Sequence, residues 1–205
     1  MKSAATKELF GYWNRIRGAR AAPERSDVDP GQIRSILSDT FILEADATSG
    51  FPFRLAGSRI CAITGHEMKG EQFLGLWSGP DRATLLGALS TVSDDAAVAV
   101  VGAQGSTDLN RKIDLELALL PLRHRGRTHS RVLGSVAPVE TPYWLGACAV
   151  TRFELTSLRM IWPSGRRKPL ASSHDDDLEP ALPEPSAIAG LGRRIGRFLV
   201  FDGGR

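Results

Sequence analysis

The strongest constraint on the fold is a change of hydrophobic period near residue 41. Before it, Leu9, Tyr12, Trp13 and Ile16 fall at i, i+3, i+4 and i+7, which predicts an amphipathic helix over residues 3–18 with Ser3 as its N-cap. Asp29-Pro30-Gly31-Gln32 then reads as a cap, a proline at the first helical position and a capping-box partner, opening a short helix that buries Ile33, Ile36 and Leu37. After the change, Phe41, Leu43 and Ala45 alternate with Ile42, Glu44 and Asp46; beyond Ser49-Gly50, Phe51, Phe53 and Leu55 alternate again. Two alternating runs around a glycine turn predict a β-hairpin.

Residues 58–79 lack a strand pattern and carry glycines at 65, 70, 75 and 79, so short helical turns are expected there. Ser78-Gly79-Pro80-Asp81 starts a longer helix with Leu85, Leu86, Leu89 and Val92 as its buried stripe. Strands follow at 96–103, 112–122 and 130–139, with a fourth at 145–155. In the second, Ile113, Leu115, Leu117 and Leu119 face one way, while Lys112, Asp114 and Glu116 face the other, as in a sheet solvated on one side. This order of elements is an α+β arrangement.

Charge separates the candidate functions. The sequence pI is about 9.1, yet residues 1–162 hold 19 Lys+Arg against 17 Asp+Glu, and residues 163–205 hold 7 against 6. A nucleic-acid surface needs basic residues gathered on one face, and here they are scattered. No run approaches the ~20 apolar residues of a membrane span. The N-terminus lacks the layout of a secretory signal, so a cytoplasmic chain is expected. Cys61 and Cys148 stand 87 residues apart without metal-ligand spacing, as reduced core thiols would.

Residues 163–187 are poor in apolar residues and predict a disordered linker, and Phe198–Phe201 beyond it a short strand or docking peptide. Ser173-His174-Asp175 names a hydrolase triad, but consecutive residues cannot converge on one another. The Gly190, Gly192 and Gly196 run misplaces its third glycine for a dinucleotide fingerprint, and the Arg193/Arg197 spacing arises readily in an arginine-rich chain. Asp114 and Glu116 read as a solvated pair, Trp77 and Trp144 as core before pocket, and His124 and His129 as flanks of a basic hairpin loop.

Arg54-Leu-Ala-Gly57, the turns at Gly65 and Gly70, and Pro80-Asp81-Arg82 resemble a PAS domain. Further blocks narrow the likeness to an alphaproteobacterial family of single PAS-like domain proteins. They are Trp13-Asn14 with Arg17, Pro23-x-Arg25-x-Asp27-x-Asp29-Pro30, Glu116-Leu-Ala-Leu-Leu-Pro121, Leu133-Gly134 and Tyr143-Trp144-Leu145-Gly146, with Asp202-Gly203-Gly204 as a tail motif. The resemblance implies a five-stranded antiparallel sheet with inserted short helices, an N-terminal helix and a flexible C-terminal tail. It divides the chain into an N-terminal helical extension (1–35), a PAS-like domain (36–157) and a largely disordered tail with a short terminal docking segment (158–205).

It also implies a cytoplasmic, non-enzymatic signalling regulator that senses a small molecule, contacts proteins, or both. The expected ligand pocket comprises Leu55, Ile60, Cys61, Trp77, Leu86 and Leu117. Leu9, Trp13 and Ile16 are the expected surface for a homodimer or an unidentified signalling partner. No catalytic or metal-binding residue and no nucleic-acid partner are assigned. Flavin is disfavoured because Cys61 lacks the neighbours of a photoreactive cysteine, and haem because residues 80–93 hold no histidine. The rival readings are a small-metabolite enzyme built around Cys61, His66 and Glu67, and a ligand-free structural adaptor.

Overall fold

A computed structural model describes residues 1–124, 127–163, 193–195 and 198–202. The first helix, α1 (Ala4–Arg17), is followed by three 3-10 turns at Arg25–Asp27, Pro30–Ile33 and Leu37–Asp39. Strands β1 (Thr40–Glu44) and β2 (Phe53–Ala56) form the predicted hairpin, then come α2 (Ser58–Thr64), a 3-10 turn at Phe73–Leu76 and α3 (Gly79–Asp95). Strands β3 (Val98–Ser106), β4 (Lys112–His124), β5 (Arg127–Pro138) and β6 (Arg152–Ile161) complete the body, with short strands β7 (Arg193–Ile195) and β8 (Phe198–Asp202) after it.

All neighbours in the sheet are antiparallel, in the order β2-β1-β5-β4-β3-β6-β8-β7. The main body thus has six strands, as the residue pattern predicts and one more than the resemblance implies, because β6 adds to the outer edge of β3. The fourth closing strand also lies later than residues 145–155. Gly146 takes a left-handed φ of 87°, and the N–H groups of Leu145 and Ala147 bond back to Pro142 and Trp144, so that stretch turns instead of extending. Residues 164–192, which contain most of the expected linker, lie outside the described residues. Phe198–Asp202 is a strand paired with β6.

The period-two residues of the sheet build a separate core on each face. Odd-numbered Ile113, Leu115, Leu117 and Leu119 of β4 pack beneath α2 and α3, with Leu85, Leu89 and Val92 above them. Even-numbered Ala118, Leu120 and Leu122 face the other way and pack with Leu9, Tyr12 and Trp13 of α1. The face expected to be solvated is therefore covered by the chain's own first helix from Glu116 onward, while Lys112 and Asp114 on it stay exposed. Each large apolar side chain so buried contributes about 1.5–3 kcal/mol.

One cross-strand row runs from Ala56 through Phe41, Gly134, Leu119 and Ala99 to Met160. Phe41 lies flat across its neighbour only because that neighbour is glycine: a Cβ on Gly134 would sit 2.1 Å from Phe41 Cζ. Gly57 has a comparable role, since a Cβ there would come 2.3 Å from the Ser38 carbonyl oxygen where the turn before β1 crosses the start of α2.

Candidate functional site

The space between the helices and the sheet is filled by a connected series of rings. Phe41 meets Phe53 at 5.4 Å and Phe73 at 5.9 Å; Phe73 meets Trp77 at 6.0 Å, and Trp77 meets Phe153 at 5.7 Å. Of the six residues expected to line a pocket, Ile60, Trp77 and Leu117 belong to this core, with Cys61 half-buried at its margin. Leu86 is 37% exposed because it lies on the outer side of α3, one step round from the stripe of Leu85, Ala88, Leu89 and Val92. Leu55 is 52% exposed and points to the opposite side of β2 from Phe53, because the register slips by one residue between them: Phe53 pairs with Leu43 and Leu55 with Ile42. The six therefore do not converge on one cavity. Trp144 is core as well, and the buried Trp77 indole N–H has no hydrogen-bond partner among the described residues.

On the other face, Leu9 and Trp13 are fully buried and Ile16 half-buried, so the expected partner surface is turned inward against the sheet. The Trp13 indole N–H donates to the Pro121 carbonyl at 2.9 Å. Buried Glu116 fixes the start of the helix. Its carboxylate accepts the Lys2 N–H at 2.7 and 2.8 Å and the Ser3 N–H at 2.9 Å, with the Met1 ammonium 3.9 Å away. Ser3 occupies the predicted cap position, yet its side chain makes no cap bond. The negative charge instead comes from the sheet, where it also complements the positive end of the helix dipole. Burial and the nearby Arg159 hold the Met1 ammonium below its usual range.

The Glu116 contact was missed in the sequence because its neighbour Asp114 is exposed and the two were read as one solvated pair. The usable signal is that Glu116 is the last charged residue before this face turns apolar at Ala118, Leu120 and Leu122.

Comparison with known families settles the class of this architecture. The family described as "PAS domain" matches residues 1–137, two thirds of the chain and all elements from α1 into β5. The chain belongs to the PAS domain family. A search of curated protein sequences returned no match. Among solved structures, the chain is similar to the Rhodobacter sphaeroides LOV protein at 17% identity, over 57% of this chain and 71% of that one, with a TM-score of 0.42. It is similar to the PAS domain of an HTR-like protein from Haloarcula marismortui at 16% identity, over 53% and 89%, with a TM-score of 0.40. An RNA-binding light-oxygen-voltage receptor gives 15% identity over 54% and 33%, with a TM-score of 0.42.

PAS domains are generally sensory. Cys61 Sγ lies 3.8 Å from Glu67 Oε1, whereas His66 Nδ1 lies 3.1 Å from the Thr64 carbonyl, so the thiol and the imidazole are engaged separately. No group of three or more potential metal ligands occurs among the described residues, and none of their helices is long and apolar enough to cross a membrane. Arg59 of α2 pairs with Asp39, a buried carboxylate on the turn before β1. Beside that turn, on the α1 side of the sheet, a groove of about 520 Å³ runs along β1 and β2, lined by Leu55.

Proposed function

We propose that this PAS domain is a cytoplasmic, non-enzymatic signalling regulator whose output element is α1. The observation that carries the reading is the burial of Leu9, Tyr12 and Trp13 on the outer face of the sheet, under the single carboxylate anchor of Glu116. Release of α1 exposes two complementary apolar surfaces, the helix stripe with Leu9, Trp13 and Ile16 and the sheet face with Ala118, Leu120 and Leu122. Either could bind a second copy of the chain or a signalling partner. Exposing the three large side chains costs about 5–9 kcal/mol at ~1.5–3 kcal/mol each, so spontaneous release is rare. A ligand or partner shifts the population only by its preference for the open state.

The filled aromatic interior supports a second reading, a ligand-free adaptor that works through protein contacts alone. Native mass spectrometry of freshly purified protein tests both. A retained small molecule supports sensing, and a dimer without one supports the adaptor. A bare monomer that no metabolite panel stabilises, and that loosening of α1 by Glu116→Gln does not convert to a dimer, contradicts the proposal, because tight binding raises apparent stability by mass action and release of α1 exposes the association surface.

A further inference from the structure

The groove along β1 and β2 joins two features that seldom meet on a soluble surface. Its walls and floor are apolar, formed by Val28, Ile33, Leu37, Ile42, Leu55 and Leu133. Leu37 and Leu55 are 41% and 52% exposed, and both face this one depression. Among the described residues, the charged ones that line it are Arg25 and Arg34, and no acidic side chain does so. Among the described residues neither guanidinium makes an ion pair or hydrogen bond, whereas nearby Arg54 and Arg131 both pair with Glu44. Ser38 and Ser58 add hydroxyl groups at the margin. A volume of about 520 Å³ lies within the range of ~300–1,000 Å³ usual for small-molecule sites.

An apolar trough with two free guanidinium groups and no acid is complementary to an anionic head on an aliphatic chain. Burial of the chain supplies the attraction, and the guanidinium groups select a carboxylate over a neutral head. We propose that this groove binds a free long-chain carboxylate, separately from the ring-filled interior. The site stands on its own geometry, whether or not α1 carries a signal. Gly57 lets the Leu37–Ser38 turn pack against the start of α2, which brings Leu37 and Ser38 into the wall of the groove.

The test is calorimetric titration of the full chain with octanoate, decanoate and dodecanoate below their micellar concentrations, with dodecanol as the neutral control. The expected result is one carboxylate per chain, with affinity rising about 3- to 4-fold for each added methylene. Dodecanoate should bind at least about 5-fold more tightly than dodecanol, and the double substitution R25Q/R34Q should remove that advantage. Leu55→Asp should abolish binding. These side chains lie at the surface, so the variants should melt with the wild type, which separates loss of the site from loss of the fold.

Absence of binding, equal affinity for dodecanol, or affinity unmoved in R25Q/R34Q and Leu55→Asp overturns the proposal. The last result would place the amphiphile in the helix–sheet interior. Co-sedimentation with anionic phospholipid vesicles and no affinity for the free acid would make the groove a membrane contact, and overturns it too. A dimer in the wild type that Leu55→Asp dissociates, without carboxylate binding, would assign the groove to a second copy instead.

Discussion

Replacing Glu116 by Gln should loosen α1 without unfolding the domain. The wild-type carboxylate offers an oxygen to both the Lys2 and the Ser3 backbone N–H, at 2.7–2.9 Å. An amide of the same shape keeps one acceptor and turns an NH2 group toward the other donor. A hydrogen bond to a charged group is worth about 1.5–3 kcal/mol, so losing one and weakening the other removes roughly 2–3 kcal/mol. Docking of Leu9, Tyr12 and Trp13 supplies about 5–9 kcal/mol, so the helix stays mostly closed. Its open population rises about 30- to 150-fold, since 1.4 kcal/mol is a factor of ten.

Hydrogen exchange read by mass spectrometry checks this directly. Amides of residues 4–17 should exchange faster by that factor, while those of β3 and β4 keep the wild-type rate. Unchanged exchange in α1 would refute the anchor. A uniform acceleration across the whole domain would refute the idea that α1 opens as a unit.

Other perturbations follow from the packing. Gly134→Ala puts a methyl 2.1 Å from Phe41 Cζ and should cost about 1–3 kcal/mol, seen as a lower Tm; an unchanged Tm would mean the ring is not held across β5. On α3, Leu85→Ala should cost about 2–5 kcal/mol and Leu86→Gln less than about 0.5 kcal/mol, and chemical denaturation giving similar losses for both would contradict the assigned helix face. In the β1–β2 turn, hydrogen bonds from Thr48 and Ser49 lower the Asp46 carboxyl to about 2. Its stabilising contribution is complete above the unfolded value near 3.8 and is lost as pH falls toward 2, so Asp46→Asn should flatten the stability profile in that window alone.

The parts of this fold legible in the sequence were those written in local periodicity. The stripe of Leu9, Tyr12 and Trp13, the hairpin around Gly50 and the alternation from Ile113 to Leu119 each announce an element and its buried side. What periodicity does not contain is the partner of each buried side. The α1 stripe read as a surface for another molecule because the sheet face that receives it carries Lys112, Asp114 and Glu116 at its head and looks polar from there. Only the pairing of β4 with β3 and β5 shows that Ala118, Leu120 and Leu122 continue the same face inward.

The six expected lining residues lie apart for a related reason. Leu55 and Leu86 have the right chemistry for a lining, but a register shift between β1 and β2 and the 100° step of α3 turn them to other sides. The groove was illegible because Arg25, Arg34, Leu37 and Leu55 are brought together by three 3-10 turns, whose irregular path leaves no repeating signature.

In the proposed mechanism, α1 closes an association surface on its own PAS sheet. Light scattering of wild-type and Glu116→Gln protein over a common concentration series tests it most directly, paired with the exchange measurement that confirms a looser helix. The variant should associate at lower concentration than the wild type. A variant that opens α1 yet stays monomeric throughout the series would contradict it.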